Sequence, residues 1–214
     1  GVMTVMRDLR LYADALDHGG QPPLPKVVTR ADGQVVATVF PASVQDRVLL
    51  TGYSAEVWIE PGHDPSQGEI YRQKAAGHIG EGAVSLVLGA GNQASIGPMD
   101  VLHKLVIEDE VCLLKMNPVN DYLGPHILRA FKPLVDRDLL RVVYGGAEVG
   151  QHLCNHAGVD TIHITGSERT HDAIVWGGDA DEMARRKAAG ERQNNKPITS
   201  ELGAVSPIMI VPGN

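Results

Sequence analysis

Aromatic residues are scarce in this chain, at 4%, with two Trp, two Phe and five Tyr. A groove that grips single-stranded nucleic acid stacks bases on aromatic rings, so this supply argues against one. Positive charge is also short: 19 Lys and Arg stand against 26 Asp and Glu, a formal charge of -7. Binding a phosphate backbone needs clustered cations, so no nucleic-acid partner is expected. Cysteine is nearly absent. Cys112 and Cys154 are too few for a disulfide framework or a zinc pattern. Cys112 falls inside the apolar run VCLLKM and reads as core, while Cys154 lies in QHLCNHAG, between His152 and His156 one helical turn apart. Two histidines and a thiol make too small a motif for a metal, and none is expected. Lone thiols fit a reducing, cytoplasmic setting. No apolar stretch approaches the ~20 residues of a membrane span, and no signal-peptide pattern opens the chain. No membrane partner is expected.

What is present suits an ordinary folded protein. The chain has 214 residues, 43% hydrophobic and 21% charged, enough to bury a core. Residues 4–18, TVMRDLRLYADALDH, place Val5, Leu9, Tyr12 and Leu16 at helical spacing, and Gly19 and Gly20 stop the pattern. Residues 21–83 are rich in Pro, Gly and short β-branched runs such as VVATVF and EVWIE, which predict turns and irregular strands. Residues 1–83 therefore read as an N-terminal irregular α+β appendage packing on the main domain.

From residue 84 a rhythm begins. Apolar strands are predicted at Val84–Gly89, Val111–Met116, Leu140–Tyr144 and Thr161–Thr165, with two more at Ile198–Leu202 and Ile208–Val211. Helices are predicted between the first four, at Pro98–Ile107, Tyr122–Leu134 and Glu148–His156. Short strands, apolar on both faces and alternating with helices, predict a Rossmann-like, doubly wound parallel sheet of the α/β class over residues 84–214. Ligands of such sheets sit beyond the carboxyl ends of the strands. The residues there are Gly89-Ala90-Gly91-Asn92, then Lys115 with Asn117 and Pro118, then Tyr144 to Gly150, then Thr165-Gly166-Ser167, then Glu201-Leu202-Gly203. Taken singly, a glycine after a strand marks a turn, and GGAEVG is no dinucleotide fingerprint. Together they bring small residues, an amide, a cation, a hydroxyl and a carboxylate to one rim, as a dinucleotide crevice needs.

Over Val84 to Asn214 the chain resembles the NAD(P)-dependent aldehyde dehydrogenase superfamily. TIHITGS is similar to the family's FTGS segment, and SELGAVSPIMIV to its ELGGKSP segment. Asn92 precedes Lys115 by 23 positions (115 − 92), and Gly146 precedes Gly166 by 20 (166 − 146), both as in the family. LRLYADALDHGG also resembles the helix preceding the family's cofactor domain. The departures are specific: AGN stands where PWN is usual, Met116 follows Lys115 where Pro is usual, and ELGA replaces ELGG. Pro118 stands where many NAD-using members carry a ribose-binding Glu. Between Ser167 and Glu201 lie 34 positions (201 − 167), more than the family has, and the excess falls in a charged segment, residues 177–193, predicted as a surface helix.

The resemblance implies an aldehyde substrate, NAD or NADP as cofactor, and a homo-oligomer when complete. In the implied chemistry a thiolate adds to the aldehyde, hydride leaves for the nicotinamide, and water hydrolyses the thioester. It assigns Asn92 as the oxyanion donor and Glu201 as the base that activates water. For the cofactor it implies Leu88, Gly89, Ala90 and Gly91 at the first strand, with Lys115 and Pro118 at the second. Gly146, Ile164, Thr165, Gly166 and Ser167 follow, then Leu202 and Gly203. The family's nucleophilic Cys is expected beyond Asn214, since neither Cys112 nor Cys154 occupies its place, and the chain alone is expected to be inactive. Two alternatives stay open: a CoA-acylating aldehyde dehydrogenase, favoured by Pro118 but not by Glu201, and a non-catalytic nucleotide-binding module.

Overall fold

The computed structural model describes residues 2–19, 24–66, 72–73, 76–77 and 80–203. The chain divides into two compact units, Met6–Gly80 and Glu81–Asn214, the latter with Gly1–Val5.

The first unit holds most of the helix Val2–Asp17 and an antiparallel sheet of β1 (Lys26–Thr29), β2 (Val35–Phe40) and β3 (Ala55–Trp58) in that spatial order. The turn between β1 and β2 needs Gly33, at φ 88, and Asp32 accepts from the Gln34 N–H at 3.0 Å. Only the central strand is well buried, at Val36 and Ala37. A short helix, Val44–Leu49, begins with a capping box in which Ser43 and Asp46 satisfy each other's backbone N–H groups. The Asp46 carboxylate is held below the usual range by these hydrogen bonds, against a desolvation effect of opposite sign.

The second unit is the doubly wound sheet that the sequence predicts. Its strands are β4 (Ala83–Leu88), β5 (Glu110–Lys115), β6 (Leu140–Val143), β7 (Thr161–Gly166) and β8 (Ile198–Leu202), all parallel, in the order β6-β5-β4-β7-β8. The chain steps outward from β4 to β6, then returns to the other flank of β4. The strand order reverses between β4 and β7, and a crevice opens at such a point.

Burial follows the period of two along each strand. On β4, Leu86 turns to one face and packs with Cys154, Val159 and Ile162. Val87 turns to the other and joins Val101, Cys112, Leu114, Met116, Ile127 and Leu140. Each fully buried aliphatic side chain contributes ~1.5–3 kcal/mol over exposure. At the opposite, amino ends of the strands, buried Lys104 pairs with Glu108 at 2.6 Å and Glu110 at 3.5 Å, and Glu110 also accepts from Thr161 at 2.8 Å.

The predicted single helix Tyr122–Leu134 is corrected. It is a 3-10 turn, Asp121–Leu123, then Gly124–Ala130 and Lys132–Val135. Pro125 and Pro133 each sit at the start of a new helix, where their missing N–H is harmless, and each ends the segment before it. The other predicted helices are found at Ile96–Val106 and Ala147–Asn155. A further one, Glu168–Trp176, was not predicted, because ERTHDAIVW carries little apolar signal. The charged segment does form a helix, Ala180–Ala189, with no buried residue. The predicted strand Ile208–Val211 lies outside the described residues.

Candidate functional site

A cleft of about 470 Å³ opens over the carboxyl ends of the sheet, within the size range of small-molecule sites. Its floor is Leu88, Gly89 and Gly91 after β4, Lys115 and Asn117 after β5, and Ile164 with Thr165 on β7. Two helices wall it. From Ala147–Asn155 come Ala147, Gly150, Gln151, Cys154 and Asn155, at the spacing of one helix face. From Glu168–Trp176 come Thr170, Ala173 and Ile174, preceded by Gly166 and Ser167.

Electrostatically the cleft favours an anion. Lys115 is 8% exposed, with no ion-pair partner among the described residues. Burial holds its ammonium below the ordinary lysine range. Among the described residues, no carboxylate lines the cleft. Gly146 and Ala147, at the start of the helix Ala147–Asn155, line the cleft, and this helix end has no side-chain cap, so the positive end of its dipole lies at the cleft, with Glu148 in the same turn. The other helix is different: Ser167 Oγ accepts from the Thr170 N–H at 3.2 Å and caps its own helix.

Of the glycines at the ends of β6 and β7, only one is required by the fold. Gly145 has φ 133, and a Cβ there would meet Val149 at 2.5 Å, so the turn itself demands it. A Cβ on Gly146 would meet nothing within 4 Å, and one on Gly166 only ordinary contacts with Ile164. Nothing among the described residues requires glycine at Gly146 or Gly166.

The structure thus brings Leu88, Gly89, Gly91, Lys115, Gly146, Ile164, Thr165, Gly166 and Ser167 to one cleft. It does not bring six other predicted residues there. Ala90 is buried beside the cleft, and its carbonyl accepts from Asn120 Nδ2 at 3.1 Å. Pro118 is exposed on the loop after β5. Asn92 is exposed on the loop after β4. Glu201 is exposed on β8 opposite Thr165, with Leu202 and Gly203 behind it. Gln151, Cys154, Asn155, Thr170 and Gln193 were not predicted. The helix-face spacing 147, 150, 151, 154, 155 was the signal for the first three.

Neither thiol is poised to react. Burial pushes Cys154 up to about 11 and Cys112 up to about 12.

Residues 111–213, just under half of the chain, match the model of the Aldehyde dehydrogenase family. This segment is similar to that family. Curated relatives agree over a shorter stretch. The chain is 42% identical over 72 residues to the 4-trimethylaminobutyraldehyde dehydrogenase of Rattus norvegicus, covering 34% of this chain and 12% of that protein. Against the Bos taurus enzyme of the same name it is 39% identical over 72 residues, with the same coverage of each chain. The match therefore spans about an eighth of the length of these aldehyde dehydrogenases. Among solved structures, HpcC from Thermus thermophilus is 15% identical, with TM-score 0.47 over 92% of this chain and 28% of that one. A Mycobacterium tuberculosis aldehyde dehydrogenase complexed with NAD+ is 20% identical, with TM-score 0.41 over 91% of this chain and 29% of its own. The matched segment contains nearly all of β5 and then β6 through β8, and so Lys115, Gly146, Gly166, Ser167 and Glu201.

Proposed function

We propose that this chain is the coenzyme-binding part of an NAD(P)-dependent aldehyde dehydrogenase that oxidises an aldehyde to a carboxylic acid. One observation carries the reading: a buried Lys115 and an uncapped helix N-terminus at Gly146 line one cleft at the strand switch point, where the described residues offer neither an ion-pair partner for Lys115 nor a lining carboxylate. A dinucleotide has the matching parts, an anionic pyrophosphate and flat apolar rings. The first-turn N–H groups behind Gly146 would hold the pyrophosphate. Lys115 would hold the ribose beside it, and Leu88, Ile164 and Ile174 would pack on the base. When bound, NAD or NADP accepts the hydride released by the aldehyde carbon.

The chain's own residues would divide the remaining work. Asn92 donates its amide N–H to the developing oxyanion, and Glu201 takes a proton from the attacking water. Their exposure at the carboxyl rim of the sheet leaves both free to face a substrate domain. The acyl-carrying thiol is assigned outside this chain, because Cys112 and Cys154 are buried and hold their protons. An aldehyde is therefore the substrate of the assembled enzyme, not of this chain alone.

Titration calorimetry of the chain with NAD and with NADP tests the reading. Saturable one-to-one binding is expected, abolished or weakened at least tenfold by Lys115→Met. Absence of binding, or binding that ignores Lys115→Met, would overturn it.

A further inference from the structure

The charged segment between β7 and β8 folds back onto the cleft. Its helix, Ala180–Ala189, starts at the Asp179 cap and stops at Gly190, which adopts φ 70. The chain then reverses, and the Glu191 N–H donates to the Arg186 carbonyl at 2.9 Å. Gln193 and Asn194 next donate their N–H groups to the Val175 carbonyl, at 2.8 and 3.2 Å, and Asn194 Nδ2 donates to the Cys154 carbonyl at 3.0 Å. These bonds pin the reversal to both helices that wall the cleft. Gly178 and Gln193 consequently line its outer end.

The Gln193 side chain is held at one end only. Arg186 Nη1 donates to Gln193 Oε1 at 3.0 Å, and Arg186 is itself fixed through Nε to Glu182 Oε1 at 2.7 Å. A guanidinium only donates, so the amide must present its oxygen to Arg186 and its nitrogen elsewhere. Nε2 has no protein partner among the described residues. Gly177 makes the room: it has φ 111, and a Cβ there would lie 2.7 Å from Gln193 Oε1.

The described residues of the slot that exposed Gln193 borders carry no charge. Gln151, Cys154 and Asn155 stand on one side, Thr170, Ala173 and Ile174 on the other. Its occupant should be flat, apolar on its faces, and carry an acceptor at its edge. We infer that Gln193, oriented by Arg186, donates an Nε2–H hydrogen bond to a ring nitrogen of a purine base held in this slot. The inference rests on the dinucleotide reading above and adds a residue that reads the base. Arg186 is a positioning residue, since it acts through Gln193.

The test uses the whole chain, with AMP and its 1-deaza, 3-deaza and 7-deaza analogues as probes and nicotinamide mononucleotide as control. Calorimetry should show AMP and NAD bound about 3- to 10-fold more weakly by Gln193→Leu, the loss of one hydrogen bond. One deaza analogue should bind the wild type more weakly by a similar factor, and that difference should vanish in Gln193→Leu and shrink in Arg186→Met. The mononucleotide should bind both proteins alike, and the melting temperature of Gln193→Leu should match the wild type. Equal AMP affinity in wild type and Gln193→Leu, or an unchanged analogue pattern, would overturn this inference alone. Failure of AMP and both dinucleotides to bind the wild type would overturn the dinucleotide reading and this inference with it.

Discussion

Lys115 stands directly opposite Leu88 in the parallel ladder between β4 and β5, so its ammonium enters the cleft at the level of Gly89. The Gly89 N–H donates to the Lys115 carbonyl at 3.0 Å, and a Cβ on Gly89 would press on that same oxygen at 3.3 Å. The close approach of the two strand ends therefore sets where the buried cation of the cleft sits.

The paired glycines give a sharp test of what is structural and what is ligand-directed. Gly145→Ala should lower stability by ~1–3 kcal/mol, since it combines a strained φ with a clash against Val149. Gly146→Ala should leave the urea midpoint within error and still weaken dinucleotide binding, because only a ligand would meet the added methyl. Chemical denaturation and calorimetry on both variants separate the two effects. Equal loss of stability in both would refute the assignment of Gly146 to the ligand.

Glu201 is testable in any assembly of this chain that oxidises an aldehyde. Glu201→Gln should spare a pre-steady-state burst of reduced cofactor and slow steady turnover ~10²-fold or more, the range for loss of a general base. Stopped-flow absorbance reads both phases. A vanished burst would make Glu201 structural, or essential for activating the thiol.

The two thiols predict an alkaline loss of stability. Their folded values, about 12 for Cys112 and about 11 for Cys154, stand above the ordinary 9.0. The folded state thus keeps protons that the unfolded chain releases. Their contribution is complete below pH ~9 and is lost as pH climbs through the folded values. Lys115 works oppositely, because burial lowers its value from 10.5 and the cost of its charge fades as pH rises toward that value. Urea midpoints measured from pH 8 upward should fall less steeply in Cys112→Ala/Cys154→Ala and more steeply in Lys115→Met.

The core prediction is simpler. Leu86 is fully buried on the central strand, and Leu86→Ala should cost ~2–5 kcal/mol. A cost under ~1 kcal/mol in equilibrium denaturation would show that β4 is not a packed central strand.

The strand rhythm was legible because β4 and β5 carry apolar residues on both faces, the mark of a parallel sheet covered on both sides. Lys115 and Gly166 were legible for a related reason: strand ends in such a sheet converge on one rim. The helix Glu168–Trp176 was hidden by its composition, although Ser167 offered a capping signal. The turns before β5 and β6 were hidden too. Asp109 and Asp138 take φ 60 there, a conformation that aspartate tolerates and sequence does not mark. Gln193 lay beyond reach because its role depends on a reversal at Gly190 and a bond from Arg186, neither of which has a periodicity. Asn92, Glu201 and Pro118 were read from motif alone, and the cleft does not include them.

The central place of β4 also governs when the sheet can assemble. Its flank toward β5 pairs residues 27 apart in sequence, such as Ala83 with Glu110 (110 − 83), whereas Ser85 must wait for Thr161, 76 positions later (161 − 85). During synthesis β4, β5 and β6 can emerge and pair while one edge of β4 stays bare. Only the arrival of β7 closes that edge, and with it the crevice between the two strands. The binding cleft is therefore among the last parts of this unit to exist on a growing chain, and a dinucleotide can stabilise only a sheet that is nearly finished.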